Sequence, residues 1–182
     1  MSFRYDIRLS GEGGQGLVLA GRILAEAAAI YDEKNATQSQ SYGPEARGGA
    51  SRSEIIISDE DIDYPKATSL DLLLALTQES CNKYAKDLKD SGILLVDSGA
   101  VTRVPEGRYR IYRVPITEIA RSQLGKAVVA NIVALGIIAQ LSNIVSVEAL
   151  ESAVLARVPK GTEELNLKAF RSGMEAATQL TS

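Results

Sequence analysis

A glycine-rich segment near the start of the chain most constrains its fold. Residues 10–16 read SGEGGQG, after an alternating stretch over residues 5–9 and before an Ala- and Leu-rich run over residues 17–29. A G-x-G-x-x-G spacing between a strand and a helix is the context that a phosphate-binding loop requires. Glycine permits positive φ and lets backbone N–H groups approach an anion at the positive end of the helix. Such a loop can equally serve as a tight turn that packs helix on strand, and the motif alone leaves both interpretations open.

The composition excludes several kinds of catalytic site. The chain has one cysteine, Cys81, and no histidine among its 182 residues. A single cysteine excludes an internal disulfide and a four-cysteine iron–sulfur cluster supplied by this chain alone. The absence of histidine removes the Ser-His-Asp and Cys-His nucleophile systems. Any acid–base group must therefore be a carboxylate, a Lys or a Tyr, and we expect Cys81 to be a small buried apolar residue.

The charge and the hydropathy pattern limit the kinds of partner. A net charge of −3 argues against general nucleic-acid binding, which needs a basic surface. The first residues lack the layout of a signal peptide, and no apolar run is long enough to span a bilayer. We therefore expect a soluble, cytoplasmic protein with no nucleic-acid or membrane partner.

The hydrophobic pattern predicts an α/β fold. Strands are predicted near residues 4–9, 35–40, 51–58, 70–76, 92–97 and 109–115, and helices near 15–30, 78–89, 126–141, 146–157 and 162–179. The runs over 70–76 and 92–97 are nearly continuous and apolar, as in parallel strands that are covered on both faces. We expect one Rossmann-like domain over residues 1–182, three-layered and doubly wound around a mostly parallel sheet. The direction of the strands near residues 35–57 is left open, because antiparallel pairing also suits them.

A dinucleotide site would require an acidic residue at the end of the second strand, about 20 residues after the glycine loop. Asp32 and Glu33 have nearly that spacing, but they precede the predicted second strand. The pattern therefore disfavours NAD or FAD binding.

The segment over residues 41–49, SYGPEARGG, is the second unusual loop. Its glycines and proline provide turns on either side of Glu45 and Arg47, so an ordered loop could present a carboxylate and a guanidinium at one site. The planar fork of Arg47 suits a phosphate, a carboxylate or an acidic side chain of a partner. A solvated surface loop is the alternative. Arg52, on the strand that follows, is expected to be an ordinary solvated charge.

Other polar residues have structural interpretations. Asn131 lies among apolar neighbours over residues 127–136, so its amide either hydrogen-bonds a neighbouring loop or faces a ligand. We favour the structural role for Asn131. Thr77, Asp97 and Ser98 are expected to act as turn and capping residues.

Three segments together resemble the gamma subunit of 2-oxoacid:ferredoxin oxidoreductases: GEGGQG over residues 11–16, ATQSQSYGPEARGG over residues 36–49, and Asn131 with Leu135 and Gly136. The resemblance extends over nearly the whole chain, and its specificity comes from the two glycine loops at this separation. The ATQSQ segment is most similar to the 2-oxoglutarate enzymes. Pyruvate, branched-chain 2-oxoacid (ketoisovalerate) and indolepyruvate enzymes contain similar units.

The resemblance implies a multisubunit enzyme that decarboxylates a 2-oxoacid on thiamine diphosphate and Mg²⁺. Electrons pass through iron–sulfur clusters to ferredoxin, and the acyl group is transferred to coenzyme A. The expected partners are catalytic alpha and beta subunits and a ferredoxin-like delta subunit. No thiamine-type motif and no cluster-binding cysteines are found here, so those cofactors are expected on partner chains. This chain is then inactive alone, contributes no catalytic residue, and helps to cover the coenzyme A site.

The resemblance and the loop chemistry give one set of expected cofactor-contacting residues: Gly11, Gly13, Gly14, Gln15, Gly16, Ser41, Tyr42, Gly43, Glu45, Arg47, Gly48 and Asn131. No metal-ligating residue is expected. Two alternatives remain: a free-standing NAD(P)- or FAD-binding oxidoreductase, and a purely structural assembly subunit in which both loops contact only protein.

Overall fold

A computed structural model describes residues 3–42 and 50–181, which contain a six-stranded sheet in the order β2-β3-β1-β4-β5-β6. The strands are β1 (Arg4–Glu12), β2 (Asn35–Tyr42), β3 (Ala50–Ser58), β4 (Leu70–Ala75), β5 (Leu88–Asp97) and β6 (Arg110–Val114). The central strands are rich in Ile, Leu and Val, whose branched side chains pack well on a pleated surface.

Five of the six strands run in the same direction. β1, β4, β5 and β6 are parallel, whereas β3 is antiparallel to both β1 and β2. The prediction of a mostly parallel sheet is confirmed, and the strands near residues 35–57 form an antiparallel pair. After β1 the chain continues to the β2 edge, and after β4 it continues towards β6. The connections therefore diverge between β1 and β4, where ligand crevices form in open α/β sheets.

Helices cover both faces of the sheet, but unequally. The helices are α1 (Leu17–Glu26), α2 (Gln78–Tyr84), α3 (Ile116–Leu124), α4 (Ala130–Ser142), α5 (Val147–Arg157) and α6 (Glu163–Thr181). Five of them, all except α2, pack on one face of the sheet, here called face A. On the opposite face, face B, α2 and two connecting segments enclose a smaller core. Within residues 3–42 and 50–181, no helix is long and apolar enough to cross a membrane.

Four local predictions need correction. The first helix ends as a π-helical turn, Ala27–Tyr31. α3 was not predicted, because nine residues between Pro115 and Gly125 carry only a short apolar stripe. Residues 88 and 89 belong to β5 rather than to the preceding helix, since Leu88 pairs with Leu70 of β4. The helix predicted from residue 126 instead begins at Ala130, after a 3₁₀ turn over Ala127–Val129.

The central helix α4 packs closely on α6 through two glycines. A Cβ atom on Gly136 would lie 2.0 Å from the carbonyl oxygen of Phe170, and one on Gly173 would lie 2.0 Å from that of Val133. Only glycine permits this backbone approach. Residues 130–139 of α4 are all buried, so α4 is a rigid support for whatever its first turn contacts.

Candidate functional site

The glycine loop joins the carboxyl end of β1 to the first turn of α1. Gly14 and Gly16 have φ values of +88° and +73°, which side chains other than glycine rarely adopt. Gly16 is the residue before α1, and its carbonyl oxygen accepts the first helical hydrogen bond, from Ala20 N, at 3.0 Å. The strand-to-helix junction expected from the motif is confirmed.

The side chain of Gln15 closes the loop from within. Its Oε1 accepts a hydrogen bond of 2.6 Å from the backbone N–H of Glu12. A Cβ atom on Gly11 would lie 2.2 Å from the same oxygen, so Gly11 leaves room for the Gln15 amide. The structure therefore assigns Gln15 a loop-closing contact; ligand contact by Gln15 stays a prediction.

Asn131 connects the loop to the core. It is 5% exposed, and its Nδ2 donates to the carbonyl oxygen of Gly16 at 3.1 Å. A Cβ atom on Gly16 would lie 2.4 Å from that nitrogen. The hydrogen bond to a neighbouring loop is the first of the two roles that the sequence left open, and it ties the loop to α4.

The outer side of the loop is open. Gly13 and Gly14 are exposed, and no heavy atom of residues 3–42 and 50–181 lies within 4 Å of the position of a Cβ atom on either glycine. Two cavities, of about 300 and 230 Å³, lie beside the loop, and Gly14 and Val128 line both. A ligand or a partner chain can therefore reach the backbone of the loop from solvent.

The second loop starts and ends beside the glycine loop. Tyr42, the last residue of β2, pairs with Ser51, and Ala50 of β3 pairs with Glu12 of β1. Ser41 is exposed at the same carboxyl edge of the sheet. The flanks of both loops thus meet at one edge, although Gly43, Glu45, Arg47 and Gly48 lie outside the described residues, as does the side chain of Tyr42.

Thr77 and Asp97 cap neighbouring elements as expected, and Ser98 lies in a turn. Thr77 precedes α2 and accepts a hydrogen bond of 3.2 Å from Ser80 N. Buried Asp97 accepts a hydrogen bond of 2.6 Å from the hydroxyl of Thr117, next to the start of α3. The N–H of Ser98 donates to the carbonyl oxygen of Val114 at 2.9 Å. These groups hold the crevice edge in place.

Cys81 and Asp32 are both engaged in structure. Burial of Cys81 raises the pKa of its thiol, which disfavours the thiolate and agrees with the expected apolar role. Asp32 accepts hydrogen bonds of 2.7 and 2.8 Å from Ser146 N and Oγ. It also precedes β2, at the sheet edge opposite the glycine loop. Asp32 is therefore not placed to hold a ribose near that loop.

The segment over residues 126–129 lies across the glycine loop and was not predicted to be part of the site. Lys126 is a cationic residue in the lining of the smaller cavity, and Val128, 73% exposed, lines both. Thr117 lines the larger cavity. In the sequence, Val128 and Val129 are only a weak indication of a site, because two valines next to an apolar helix are also typical of the helix itself.

Comparison with known families identifies the chain. The family model described as pyruvate ferredoxin/flavodoxin oxidoreductase matches residues 6–176. The chain belongs to this family. Residues 6–176 include both loops and the Asn131 contact, so the resemblance inferred from those segments is confirmed.

Relatives of similar length are named as subunits of 2-oxoglutarate synthase and of pyruvate synthase. The chain is 53% identical over 182 residues to a 2-oxoglutarate synthase subunit of Methanocaldococcus jannaschii, covering 99% of this chain and 97% of that protein. It is 47% identical over 178 residues to the corresponding subunit of Methanothermobacter marburgensis, covering 94% and 96%. A pyruvate synthase subunit of Methanocaldococcus jannaschii is 32% identical, covering 90% of this chain and 92% of that protein.

Solved structures agree on the fold. The gamma subunit of a keto/oxoacid ferredoxin oxidoreductase from Geobacter sulfurreducens has a TM-score of 0.91 and 57% identity, covering 97% of this chain and 98% of that chain. A 2-oxoglutarate:ferredoxin oxidoreductase from Magnetococcus marinus, with 2-oxoglutarate, coenzyme A and succinyl-CoA bound, has a TM-score of 0.84 at 23% identity. That match covers 97% of this chain and 31% of that one, and it supports the fold alone. These relatives do not favour a free-standing NAD(P)- or FAD-binding enzyme.

Proposed function

We propose that the chain is the gamma subunit of a 2-oxoglutarate:ferredoxin oxidoreductase. The chain is 53% and 47% identical to the two 2-oxoglutarate synthase subunits, but 32% identical to the pyruvate synthase subunit. The assembled enzyme would convert 2-oxoglutarate and coenzyme A to an acyl-CoA and pass the electrons to ferredoxin. Alpha and beta subunits would hold thiamine diphosphate and Mg²⁺, with the iron–sulfur clusters on partner chains that include a ferredoxin-like delta subunit.

This chain would help to position groups at the active site and to exclude water from it, and it would not transfer protons. The described part of the glycine loop offers backbone N–H groups at the start of α1, with Gly13 and Gly14 facing solvent. Such groups can fix an anionic part of coenzyme A or hold the wall of a neighbouring active site. The single observation that supports this role is the pairing of Glu12 with Ala50, which brings both loops to one edge.

Reconstitution tests the enzyme assignment. The chain would be co-expressed with its partner subunits, and the purified complex assayed with a viologen acceptor on 2-oxoglutarate and on pyruvate. We expect reduction with 2-oxoglutarate and coenzyme A, and none when this chain is omitted. Equal activity without the chain, or a preference for pyruvate, would overturn the assignment.

Arg47→Ala tests the ligand role in the assembled complex. We expect a higher KM for coenzyme A, because the variant loses a guanidinium that can pair with a phosphate. Arg108→Ala, which changes an exposed residue away from both loops, is the matched control. If both the KM and the assembly are unchanged in Arg47→Ala, the ligand role of this residue is eliminated.

Limited proteolysis separates the ligand role from a purely structural one. Coenzyme A should protect residues 41–49 from cleavage in the complex if the loop closes on it. Absence of protection would instead support a subunit that contributes only interface geometry.

A further inference from the structure

The strands at the β2 edge of the sheet present polar side chains on face B. On β3, Arg52 and Glu54 point to this face, whereas Ile55 and Ile57 pack into the core on face A. Ser39 and Ser41 of β2 are exposed. Helix α2 lies over β1 and β4, so within residues 3–42 and 50–181 no helix covers the polar strip of β2 and β3, on a face that in three-layer folds is normally covered.

Two guanidinium groups meet on one aromatic ring beneath this strip. The guanidinium carbons of Arg8 and Arg52 lie 4.8 and 5.5 Å from the centre of the Tyr84 ring. Arg52 is therefore not the ordinary solvated charge that the sequence predicted. A cation over an aromatic face is attracted by the ring quadrupole, and this contact fixes where the guanidinium lies.

The carboxylates near the ring are already engaged. Arg8, 4% exposed, pairs with Asp87 at 2.6 Å and with Glu54 at 3.4 Å. Glu54 also accepts a hydrogen bond of 3.2 Å from Ala67 N and lies 3.2 Å from Arg52 Nε. Arg8 is therefore paired with both nearby carboxylates, because a buried guanidinium needs opposite charge to offset its loss of solvation.

Among the described residues, the positive charges of Arg52 and Lys66 are not fully paired. Within residues 3–42 and 50–181, the terminal nitrogens of Arg52 make no hydrogen bond, and the ammonium group of Lys66 makes neither a hydrogen bond nor an ion pair. Arg52 is 34% exposed and Lys66 is exposed, and both line an open depression of about 520 Å³. Among the described residues, three cationic and two acidic side chains line the depression, so their summed charge is positive.

The form of this depression favours a protein as its occupant. Sites for small molecules are mostly concave and apolar with a few polar groups. Here the lining is mainly charged and hydroxyl-bearing, and it continues onto the exposed strand β2. Arginine is enriched at protein interfaces, where complementary charge guides association.

We propose that this strip of face B is an interface for a partner subunit, and that a carboxylate of an acidic segment on that subunit lies between Arg52 and Lys66. The proposal rests on the proposed function, because it requires the partner chains of the oxidoreductase. It concerns a different face from the glycine loop. The partner would cover this strip and bring a negative charge to it.

Charge reversal tests the interface. Lys66→Glu is the principal variant, since within residues 3–42 and 50–181 the ammonium group makes no hydrogen bond or ion pair, so its replacement should leave the fold intact. Lys168→Glu, on the exposed side of α6 at face A, is the matched control. We expect the affinity for the purified alpha and beta subunits to fall roughly tenfold in Lys66→Glu and to depend less steeply on salt. Arg52→Glu should have a similar effect, with its thermal midpoint measured to check folding.

The outcomes separate the two proposals. If the wild-type chain binds no partner subunit, the proposed function fails. If it binds, but Lys66→Glu and Lys168→Glu bind with wild-type affinity and salt dependence, the interface is overturned and the proposed function stands. A thermal shift of the chain alone in millimolar phosphate or acetate that is lost in Lys66→Glu, with assembly unchanged, would identify a small-anion site and would also overturn the interface.

Discussion

The side-chain amide of Asn131 donates a hydrogen bond of 3.1 Å to the carbonyl oxygen of Gly16. This contact joins the first turn of the most buried helix to the end of the glycine loop, 115 positions earlier in the chain. Because residues 130–139 of α4 are all buried in the core, this hydrogen bond holds the end of the loop in place. A preorganised loop loses little conformational entropy when a ligand or a partner binds.

Replacement of Asn131 should loosen the loop. Asn131→Ala removes this hydrogen bond and leaves Ala20 N as the remaining donor to the Gly16 carbonyl, so we expect the free energy of unfolding to fall by about 1 kcal/mol. Urea denaturation measures this change. Asn82→Ala, which removes an exposed amide that pairs with Gln78, should have little effect and is the control.

Gly16→Ala, measured alone and together with Asn131→Ala, tests the same contact. In the wild type the new methyl group would collide with Asn131, whereas in the Asn131→Ala background only the cost of the left-handed backbone is left. The two substitutions should therefore be non-additive, with a smaller combined loss than the sum. Simple additivity would mean that the two residues are not in contact.

Gly136→Ala should destabilise the protein although alanine favours helices. The added methyl group meets backbone atoms of α6, which cannot rotate away, so the two helices must separate. We expect a loss of about 2 kcal/mol in the free energy of unfolding, as for other overpacked cores. Gly99→Ala, where a Cβ atom would lie at an ordinary 3.6 Å from Asp97, is the control. An equal or higher stability of Gly136→Ala would contradict the close packing.

Cys81 should react only when the protein unfolds. Its thiol is buried and its pKa is raised by burial, so the thiolate is scarce and inaccessible in the native state. The rate of reaction with a disulfide reagent near neutral pH should rise with urea in parallel with the unfolding transition. Rapid labelling in the absence of urea would contradict this account. As the chain has a single cysteine, the signal reports on this site alone.

Tyr5 should make stability fall at high pH. Burial, followed by the nearby charge of Asp71, raises the pKa of its phenol to about 12, above the ordinary value of 10.0. The unfolded chain then loses its proton first, so this contribution is fully present below pH 10.0 and is lost as the pH rises towards about 12. The contribution is at most about 3 kcal/mol. Tyr5→Phe should flatten the decline of unfolding free energy over this range, and an unchanged slope would refute the assignment.

Much of the fold could be predicted from local patterns. β4 and the second half of β5 are short apolar runs, and the glycine loop marks the end of β1 and the start of α1 because glycine alone accepts its backbone angles. By contrast, α3 is too short for a periodic signal, and the first part of β5 is polar. Hydrogen bonding to β4, at a distance in sequence, makes that part a strand.

The candidate site could be predicted only in part. Both loops and Asn131 were found from residue types, whereas Lys126 and Val128 were missed because their importance depends on how α4 meets the loop. Arg52 was misinterpreted for the same reason, since its contact with Tyr84 joins β3 to α2.

The sequence alone determined the element types, the backbone freedom of the glycine loop and the absence of histidine and cluster-forming cysteines, since these follow from local sterics and composition. The tertiary structure decided that the flanks of both loops share one sheet edge, that Asn131 holds Gly16, and that Arg8 and Arg52 meet on the Tyr84 ring. Strand order and register bring together residues that are far apart in the chain, and no local preference encodes those distances.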